Sequence, residues 1–328
     1  MSAEKMSLSA ILLVGGFGTR LQPLTLKVPK PMLLVAGVPF IEHQIVRARE
    51  AGVSEIVLAT AFLAEVFEPY FGDGSSFGIS VKYAVESTPL GTGGAILNAS
   101  KSLTGEGPVV IFNGDVLSGH DLVGQIDFHQ TNKADLTLYL TSVVDARPFG
   151  AVELDEEQRV IAFNEKMENP PTNIINAGCY IFNRDLFDQI PANKVVSVER
   201  EIFPTLVSTN YGVYGFIDNS YWLDIGTPAA LLKASQDLVL GEIYSSAVPD
   251  HESGSLVLPG AMVSPTTALV NGCVIGARSI VESNCVIDGS IIGNGAIIGD
   301  GSILRNCFVA ENFKVPAATM ADFTYFGF

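Results

Sequence analysis

The most constraining feature of the sequence is a six-residue repeat in its last third. Apolar or small residues recur at this spacing with a single five-residue step, and Gly, Asn and Asp fill the positions between them. The members of the series are Val257, Val263, Leu269, Ile275, Val281, Ile287, Ile292, Ile298, Leu304 and Ala310. This period is too short for a heptad helix and too long for strand alternation, but it matches one flat face of a parallel β-helix. We therefore predict a short left-handed parallel β-helix of roughly three coils.

The region before the repeat alternates short apolar runs with amphipathic stretches. Strands are predicted over 8–14, 55–60, 80–85, 109–112 and 136–141, and helices over 40–50, 63–70, 93–101, 122–130, 197–208 and 228–240. This alternation is typical of an α/β fold with a Rossmann-like, mostly parallel sheet. The segment 150–182 breaks the pattern and predicts an antiparallel insertion. We predict an α/β domain over 1–240, a linker over 241–255, and the β-helix with a C-terminal tail over 256–328.

The charge of the chain excludes several classes of partner. A formal net charge of −16 repels polyphosphate backbones and anionic lipids, so neither nucleic acid nor a membrane surface is expected as a partner. The apolar run 8–14 is too short to span a bilayer and no targeting signal is visible, which predicts a cytoplasmic location. The four cysteines form no C-x-x-C pair and are interpreted as small apolar core residues.

Positive charge is concentrated behind a glycine-rich turn that follows the first predicted strand. The turn contains Gly15, Gly16 and Gly18, and glycines let backbone N–H groups approach an anion closely. One arginine and two lysines follow it on a proline-stiffened stretch, namely Arg20, Lys27 and Lys30. The turn lacks the Gly-Lys-Ser/Thr ending of a P-loop and the third glycine of a dinucleotide fingerprint. In an acidic chain, such a group of cations predicts a site for a polyphosphate.

The full stretch LLVGGFGTRLQPLTLKVPKPMLLVAGVPFIEH resembles the nucleotide signature of the sugar-1-phosphate nucleotidylyltransferases. Four further segments match this family in order: VESTPLGTGGAI, FNGDVL, FNEKM with INAGCY, and YWLDIGTP. Within the family, PLGTGGAI, SVEREIFP and INAGCY are most similar to mannose-1-phosphate guanylyltransferases of the actinobacterial type. Met167 departs from the family pattern, in which many members have proline after the Glu-Lys pair.

The resemblance implies transfer of a nucleotidyl group from a nucleoside triphosphate to a sugar 1-phosphate, with GTP and mannose-1-phosphate as the expected pair. It implies Mg²⁺ as the cofactor, held by Asp115 and Asp224. The implied catalytic residues are Arg20, Lys30 and Lys166. The implied nucleotide-binding residues are Gly15, Gly16, Gly18, Thr19, Glu86, Gly91, Thr92 and Asp115. The implied sugar-binding residues are Gly150, Glu165, Asn176 and Gly178.

Three alternatives remain open at this point. The enzyme could use another pair, such as dTTP, UTP or ATP with glucose-1-phosphate, or a heptose or muramic acid phosphate. The chain could be a regulatory paralogue without activity, although Arg20, Lys30, Asp115 and Asp224 are all present. A hexapeptide acyltransferase is disfavoured because no histidine follows His251. A short β-helix has exposed coil ends, so we also predict a homo-oligomer.

Overall fold

The computed structural model describes residues 8–16, 18–61, 64–192, 194–209, 211–252 and 254–328. The chain forms two compact units. The first comprises the residues up to Gly16 together with Arg47–Trp222, and the second comprises Phe17–Val46 together with Leu223–Phe328. Within the described ranges, no helix is both long and apolar enough to cross a membrane. The domain boundaries drawn from the sequence stay a prediction.

The elements before the repeat follow one another as the alternating pattern predicts. The strands are β1 (Leu8–Leu13), β2 (Leu34–Val35), β3 (Val38–Pro39), β4 (Val53–Thr60), β5 (Ser80–Val85), β6 (Val109–Asn113), β7 (Val116–Ser118), β8 (Leu136–Ser142), β9 (Gly150–Leu154), β10 (Val160–Glu165), β11 (Ile174–Phe182), β12 (Val213–Ile217) and β13 (Trp222–Asp224). The α-helices are α1 (Phe40–Glu50), α2 (Glu68–Phe71), α3 (Gly91–Ser100), α4 (Leu122–Thr131), α5 (Phe203–Ser208) and α6 (Pro228–Leu240).

A nine-stranded sheet forms the centre of the first unit, in the order β10-β9-β11-β6-β1-β4-β5, with β8 paired to β11 and β12 to β8. Strands β6, β1, β4 and β5 are parallel. The nearly continuous apolar sequence of β1 reflects burial along almost its whole length. The chain leaves β1 towards β4 and β5 and later returns to β6 on the other side of β1. The strand order therefore reverses between β1 and β6.

The predicted antiparallel insertion is also present. β11 pairs antiparallel with β6 and with β8, and β9 pairs antiparallel with β10, so the sheet as a whole is mixed. Its core face carries a group of aromatic rings around Phe203 of α5, whose centroid lies 5.1 Å from that of Tyr180 and 5.2 Å from that of Phe163. These edge-to-face contacts fix α5 against β10 and β11.

The helix predictions succeed where caps define both ends. α6 begins after Thr227, whose side chain accepts a hydrogen bond from the N–H of Ala230, and it ends at Gly241 with φ +77. The predicted helix 63–70 is instead a 3₁₀ turn, Ala64–Val66, followed by the single turn of α2, and its first residue lies outside the described part. The predicted helix 197–208 is also divided, into a π-helical turn, Val198–Ile202, and α5.

The repeat forms a parallel β-helix with three faces. Its strands are β14 (Ser255–Val257), β15 (Met262–Val263), β16 (Ala268–Val270), β17 (Cys273–Ile275), β18 (Ile280–Val281), β19 (Val286–Asp288), β20 (Ile291–Ile292), β21 (Ile297–Ile298), β22 (Ile303–Arg305), β23 (Phe308–Val309), β24 (Lys314–Val315), β25 (Met320–Asp322) and β26 (Tyr325–Phe326). They stack in parallel sheets of five, four and four strands, an arrangement consistent with the predicted left-handed β-helix.

The β-helix is longer than the sequence pattern predicts, and one member of the series is wrong. Val309, not Ala310, pairs in register with Ile292 and points into the core, with an exposure of 2%. The step from Leu304 to Val309 is thus short, like the step from Ile287 to Ile292. Because the six-residue count misses this second short step, it loses phase there. The five strands of the first face enclose four complete coils, one more than predicted.

Glycines and cysteines of the β-helix serve packing. Gly272 has φ +71, and a Cβ there would lie 2.8 Å from the Cα of Gln236 in α6, so that only glycine allows this approach. The Gln236 side-chain amide donates to the carbonyl oxygen of Gly289 at 2.8 Å. All four cysteines of the chain are buried free thiols, which confirms their interpretation as core residues.

Candidate active site

The carboxyl ends of β1 and β6 meet where the strand order reverses, which is the point where open α/β sheets bind their ligands. Gly114 follows β6, and its N–H donates to the carbonyl oxygen of Leu13 at 2.9 Å. A Cβ at Gly114 would lie 2.3 Å from that oxygen, so the two strand ends meet only through glycine. Asp115 is thereby held, half-buried, next to the end of β1.

The turn after β1 contains a glycine that the local fold requires. Gly18 has φ +61, and a Cβ there would lie 3.0 Å from Cγ2 of Thr25 and 3.1 Å from Cβ of Lys30. The Thr25 hydroxyl donates to the carbonyl oxygen of Gly18 at 2.9 Å. Lys30 is only 8% exposed, whereas Thr19 and Arg20 are exposed at the start of a 3₁₀ turn. Of the two side chains predicted to bind phosphate in this stretch, Lys30 is therefore packed inside the protein and Arg20 faces solvent.

Gly16 differs from Gly18, because a Cβ added there would meet no described atom within 4 Å. Gly16→Ala is therefore expected to leave the unfolding temperature unchanged. Nucleoside triphosphate binding should weaken about tenfold, since the methyl group would keep an anion from the backbone N–H groups. Calorimetric titration with the nucleotide measures this effect. Gly18→Ala, which strains the turn, serves as the destabilised control. Unchanged nucleotide affinity in Gly16→Ala would contradict the phosphate-binding role of the turn.

Arg20, Asp224 and Gly226 converge on one point of the second unit. A Cβ at Gly226 would lie 2.7 Å from Nη2 of Arg20 and 2.9 Å from Oδ1 of Asp224. The guanidinium and the carboxylate thus approach one another across a residue without a side chain. Gly226 is part of the YWLDIGTP segment. The requirement for glycine at this position arises from the place that the Arg20 side chain takes in the folded chain.

Glu86 lies directly after β5, at the same edge of the sheet as the ends of β1 and β6. Its Oε2 accepts a hydrogen bond from the N–H of Leu90 at 3.0 Å. Burial raises the pKa of the Glu86 carboxyl, and the Leu90 hydrogen bond partly opposes this shift. Glu86 therefore holds the segment that leads into α3, where the base of the nucleotide is expected.

Gly91 and Thr92, at the start of α3, have contacts with another segment of the chain. Gly91 has φ +73, and a Cβ there would lie 2.5 Å from the carbonyl oxygen of Val196. The Thr92 hydroxyl donates to Oε2 of Glu199 at 2.7 Å. Both residues are thus used by the packing of α3 on the segment around Val196. Their contact with a base stays a prediction.

Gly150, Glu165 and Lys166 are brought together by the β9–β10 pair. Gly150 and Glu165 are register partners, and a Cβ at Gly150 would lie 2.9 Å from Oε2 of Glu165. Lys166 places its Nζ 3.6 Å from Oε1 of Glu165, from a backbone with φ +53. Burial raises the pKa of the Glu165 carboxyl; Lys166 opposes the shift and the charge of Glu199 adds to it.

Asn176 and Gly178 lie in a bulge of β11, where the register to β8 shifts between Asn176 and Tyr180. Gly178 has φ +81, and its N–H donates to Oδ1 of Asn176 at 3.3 Å. A Cβ at Gly178 would lie 3.2 Å from Cβ of Asn113, the last residue of β6. The bulge therefore places Gly178 directly beside Asn113, at the start of the turn that contains Asp115.

The donor set at the predicted metal site fits Mg²⁺. This ion is usually bound by one or two carboxylates together with substrate phosphates, and the two predicted ligands are both aspartates. Among the described residues, no group of three or more His, Cys, Asp or Glu side chains could hold a metal ion by itself. Asp115 belongs to the first unit and Asp224 to the second, and a metal shared by them with a phosphate stays a prediction.

The structure adds residues that the sequence does not single out. They are Asn113, Gly114, Glu199, Trp222 and Gly226. Trp222 is the only tryptophan of the chain, and its Nε1 donates to the carbonyl oxygen of Ala177 at 3.0 Å, which fixes the bulge of β11. Four of the five lie inside segments that carry the family resemblance, so the sequence could have pointed to them through those segments. Glu199 lies in SVEREIFP, which the sequence associates only with a subgroup.

His43 and His129 are buried and hydrogen-bonded inside the protein. His43 pairs with the carbonyl oxygen of Val35 and with the Ser245 hydroxyl, and burial lowers its pKa to about 4. The Nδ1 atom of His129 lies 2.8 Å from the Thr137 hydroxyl. Neither ring belongs to the groups described above.

Comparison with known proteins supports the fold and shows the family. The sequence profile of the nucleotidyl transferase family matches residues 9–240, and that of the GlmU-like C-terminal hexapeptide family matches residues 246–322. Mannose-1-phosphate guanylyltransferase of Mycobacterium tuberculosis is 50% identical over 268 residues, which cover 81% of this chain and 74% of that protein. Probable mannose-1-phosphate guanylyltransferase 1 of Oryza sativa subsp. japonica is 37% identical, with coverages of 82% and 75%. The crystal structure of HddC from Yersinia pseudotuberculosis has a TM-score of 0.60 at 28% identity, covering 70% of this chain and 98% of HddC.

The fold, the site at the reversal of strand order and these matches define the class of the protein. The chain belongs to the nucleotidyl transferase family, and it carries a hexapeptide-repeat region of the GlmU-like type behind its nucleotidyltransferase region. It is a nucleotidyltransferase whose relatives from a bacterium and a plant bear the name mannose-1-phosphate guanylyltransferase.

Proposed function

We propose that the protein is a mannose-1-phosphate guanylyltransferase. A phosphate oxygen of mannose-1-phosphate attacks the α-phosphorus of GTP, the bond from that phosphorus to the β-phosphate bridging oxygen breaks, and pyrophosphate leaves with GDP-mannose as the other product. The observation that carries the proposal is the 50% identity to the mycobacterial enzyme of this name, over 81% of the chain.

The residues divide the work of this reaction as follows. The backbone of the Gly15–Gly16 turn, Arg20 and Lys30 bind the triphosphate and stabilise the negative charge of the leaving pyrophosphate. Lys166 binds the phosphate of the sugar and reduces the repulsion between the two anions. Glu165 and Asn176 hydrogen-bond the sugar hydroxyls. Glu86 accepts hydrogen bonds from the base, for which guanine offers two adjacent donors.

Asp115 and Asp224 would hold Mg²⁺ together with phosphate oxygens. When bound, the ion neutralises charge on the phosphates during in-line displacement. No protein group needs to act as a nucleophile, because the sugar phosphate supplies the attacking oxygen. Self-association and a cytoplasmic location remain predictions from the sequence.

A matrix of four nucleoside triphosphates against mannose-1-phosphate and glucose-1-phosphate tests the proposed function. Pyrophosphate release is expected to give the highest kcat/KM with GTP and mannose-1-phosphate. Each wrong partner should lower this value at least about tenfold, because a site built to hydrogen-bond its ligand leaves buried groups unpaired with an analogue. A higher kcat/KM with another pair would assign the protein to another activity of the family. Release of pyrophosphate with none of the pairs would favour a regulatory paralogue.

A further inference from the structure

The segment between β11 and α5 contains a π-helical turn, Val198–Ile202. Such turns are rare and are often found at functional sites. Ser197 caps this one from both directions: its Oγ accepts from the N–H of Arg200 at 3.2 Å, and its own N–H donates to Oε1 of Glu201 at 2.9 Å. The position of the turn is therefore well defined by local hydrogen bonds.

Glu199, in this turn, binds the start of α3. Its Oε2 accepts hydrogen bonds from the hydroxyls of Thr92 at 2.7 Å and Ser197 at 2.8 Å. The Thr92 oxygen in turn accepts from the N–H of Val198 at 2.9 Å. Hydrogen bonds to a carboxylate are stronger than those between neutral groups. Glu199 therefore fixes the second residue of α3 to the π-helical turn.

Backbone contacts support the same connection. The N–H of Val196 donates to the carbonyl oxygen of Leu90 at 2.9 Å, and the N–H of Gly93 donates to the carbonyl oxygen of Val196 at 2.8 Å. Leu90 is also the residue whose N–H binds Glu86. The segment that the base is expected to contact is thus held from one side by Glu86 and from the other by the 196–199 segment.

The π-helical turn also packs against β10, the strand that ends at Glu165. Burial raises the pKa of Tyr180, and the negative charge of Glu199 is the next largest cause. The same charge contributes to the raised pKa of Glu165. Tyr180 donates its hydroxyl to Oδ1 of Asn113, the last residue of β6, at 2.7 Å.

We propose that Glu199 is a positioning residue that couples the nucleotide-binding start of α3 to the sugar-binding group around Glu165. This inference rests on the proposed function, because it assigns these two regions to the two substrates. The carboxylate sets the position of Thr92 by direct hydrogen bonding, and it acts on Glu165 through its charge. Loss of the side chain therefore affects both substrates, although Glu199 itself need not touch either of them.

Steady-state kinetics of Glu199→Ala tests this coupling. The KM for the nucleotide and the KM for the sugar phosphate are both expected to rise about tenfold, the effect of losing a charge-assisted hydrogen bond. Glu199→Gln keeps an oxygen acceptor for the hydroxyls, so its nucleotide KM should return to within about threefold of the wild-type value. The KM of Glu199→Gln for the sugar phosphate should stay further from the wild-type value, because the negative charge is absent. A rise in only one KM in Glu199→Ala, or none, would overturn the coupling.

Glu201→Ala is the matched control. Glu201 lies in the same turn and also accepts a backbone hydrogen bond, but its side chain is exposed and is bonded to the N–H of Ser197 and not to Thr92. Its loss should leave both KM values unchanged, whereas a purely structural role of the turn would make both alanine variants behave alike. If Glu199→Ala does not fold, Thr92→Val removes the hydroxyl bound to Glu199, and unchanged KM values there overturn the proposal. All assays use the substrate pair that the wild type prefers, so failure of the GTP and mannose-1-phosphate assignment is detected separately.

Discussion

Turnover of Asp115→Asn is expected to fall at least about 100-fold, the typical effect of losing one electrostatic stabiliser of a transition state. The amide keeps the size of the side chain but removes the negative charge that a divalent cation requires. Gly114 holds this residue against the end of β1 through the hydrogen bond to Leu13. A neighbouring side chain therefore cannot easily take the place of the Asp115 carboxylate. The fold should be unaffected, because the substitution adds no volume.

Pyrophosphate release at saturating substrates, measured over a titration of Mg²⁺, checks this expectation. Thermal unfolding of the same sample separates a loss of activity from a loss of structure. Asp127→Asn is a suitable control because Asp127 is exposed on α4, outside the residues of the site. If Asp115→Asn turns over at the wild-type rate with saturating Mg²⁺, the metal assignment is wrong.

Gly226→Ala is expected to lower turnover by about 100-fold, again the magnitude of losing one preorganised charged contact. The new Cβ would lie 2.7 Å from the end of the Arg20 side chain and 2.9 Å from the Asp224 carboxylate, so both groups must move. The far end of an arginine moves at little cost in stability. The variant should therefore fold normally while its Arg20 guanidinium and Asp224 carboxylate are displaced.

A double-mutant cycle with Arg20→Ala shows whether Gly226 acts through Arg20. If it does, the double variant should be little worse than Arg20→Ala alone. The neighbouring substitution Ile225→Val removes one buried methyl group and should lower stability by about 1 kcal/mol while activity is retained. Full activity of Gly226→Ala would argue against the proposed role of the Arg20 and Asp224 pair. Additive effects in the cycle would argue that Gly226 acts independently of Arg20.

The parts of the fold that the sequence predicts are those determined by local chemistry. α1 and α6 have the predicted bounds because a proline and a glycine mark their ends, and the five predicted strands agree with β1, β4, β5, β6 and β8 to within two residues. The π-helical turn at Val198–Ile202 was not predictable in this way. Besides the local hydrogen bonds of Ser197, the turn is held by Thr92, which is distant in sequence and comes into contact with it only in the folded chain.

The candidate site shows the same division. The glycine-rich turn and the cations behind it predict a polyphosphate site from residue types alone, because such groups bind phosphates wherever they are brought together. The two aspartates are predicted as Mg²⁺ ligands only through the family resemblance. The sequence does not reveal that Gly91 is glycine because of Val196, or that Gly226 is glycine because of Arg20. In both cases the residue that forbids a side chain lies elsewhere in the sequence.

The repeat was predicted as a class of structure, but its length and phase were not. A β-helix tolerates an insertion or deletion only when the strands of successive coils still pair in register. The short steps from Ile287 to Ile292 and from Leu304 to Val309 fall at one corner of the prism, between the same two faces in successive coils. A sequence scan with a fixed period cannot recognise this correspondence, because it compares adjacent hexapeptides and not stacked ones.

This shared corner has a mechanical consequence. Three successive coils have a five-residue step at this vertical edge, the last from Ala321 to Phe326, whereas the first coil has a six-residue step there, from Leu269 to Ile275. Coils of both lengths stack in register, since Ile275 pairs with Ile292 and Ile292 pairs with Val309. A change of length at this edge is therefore absorbed without turning the inward row of side chains outward.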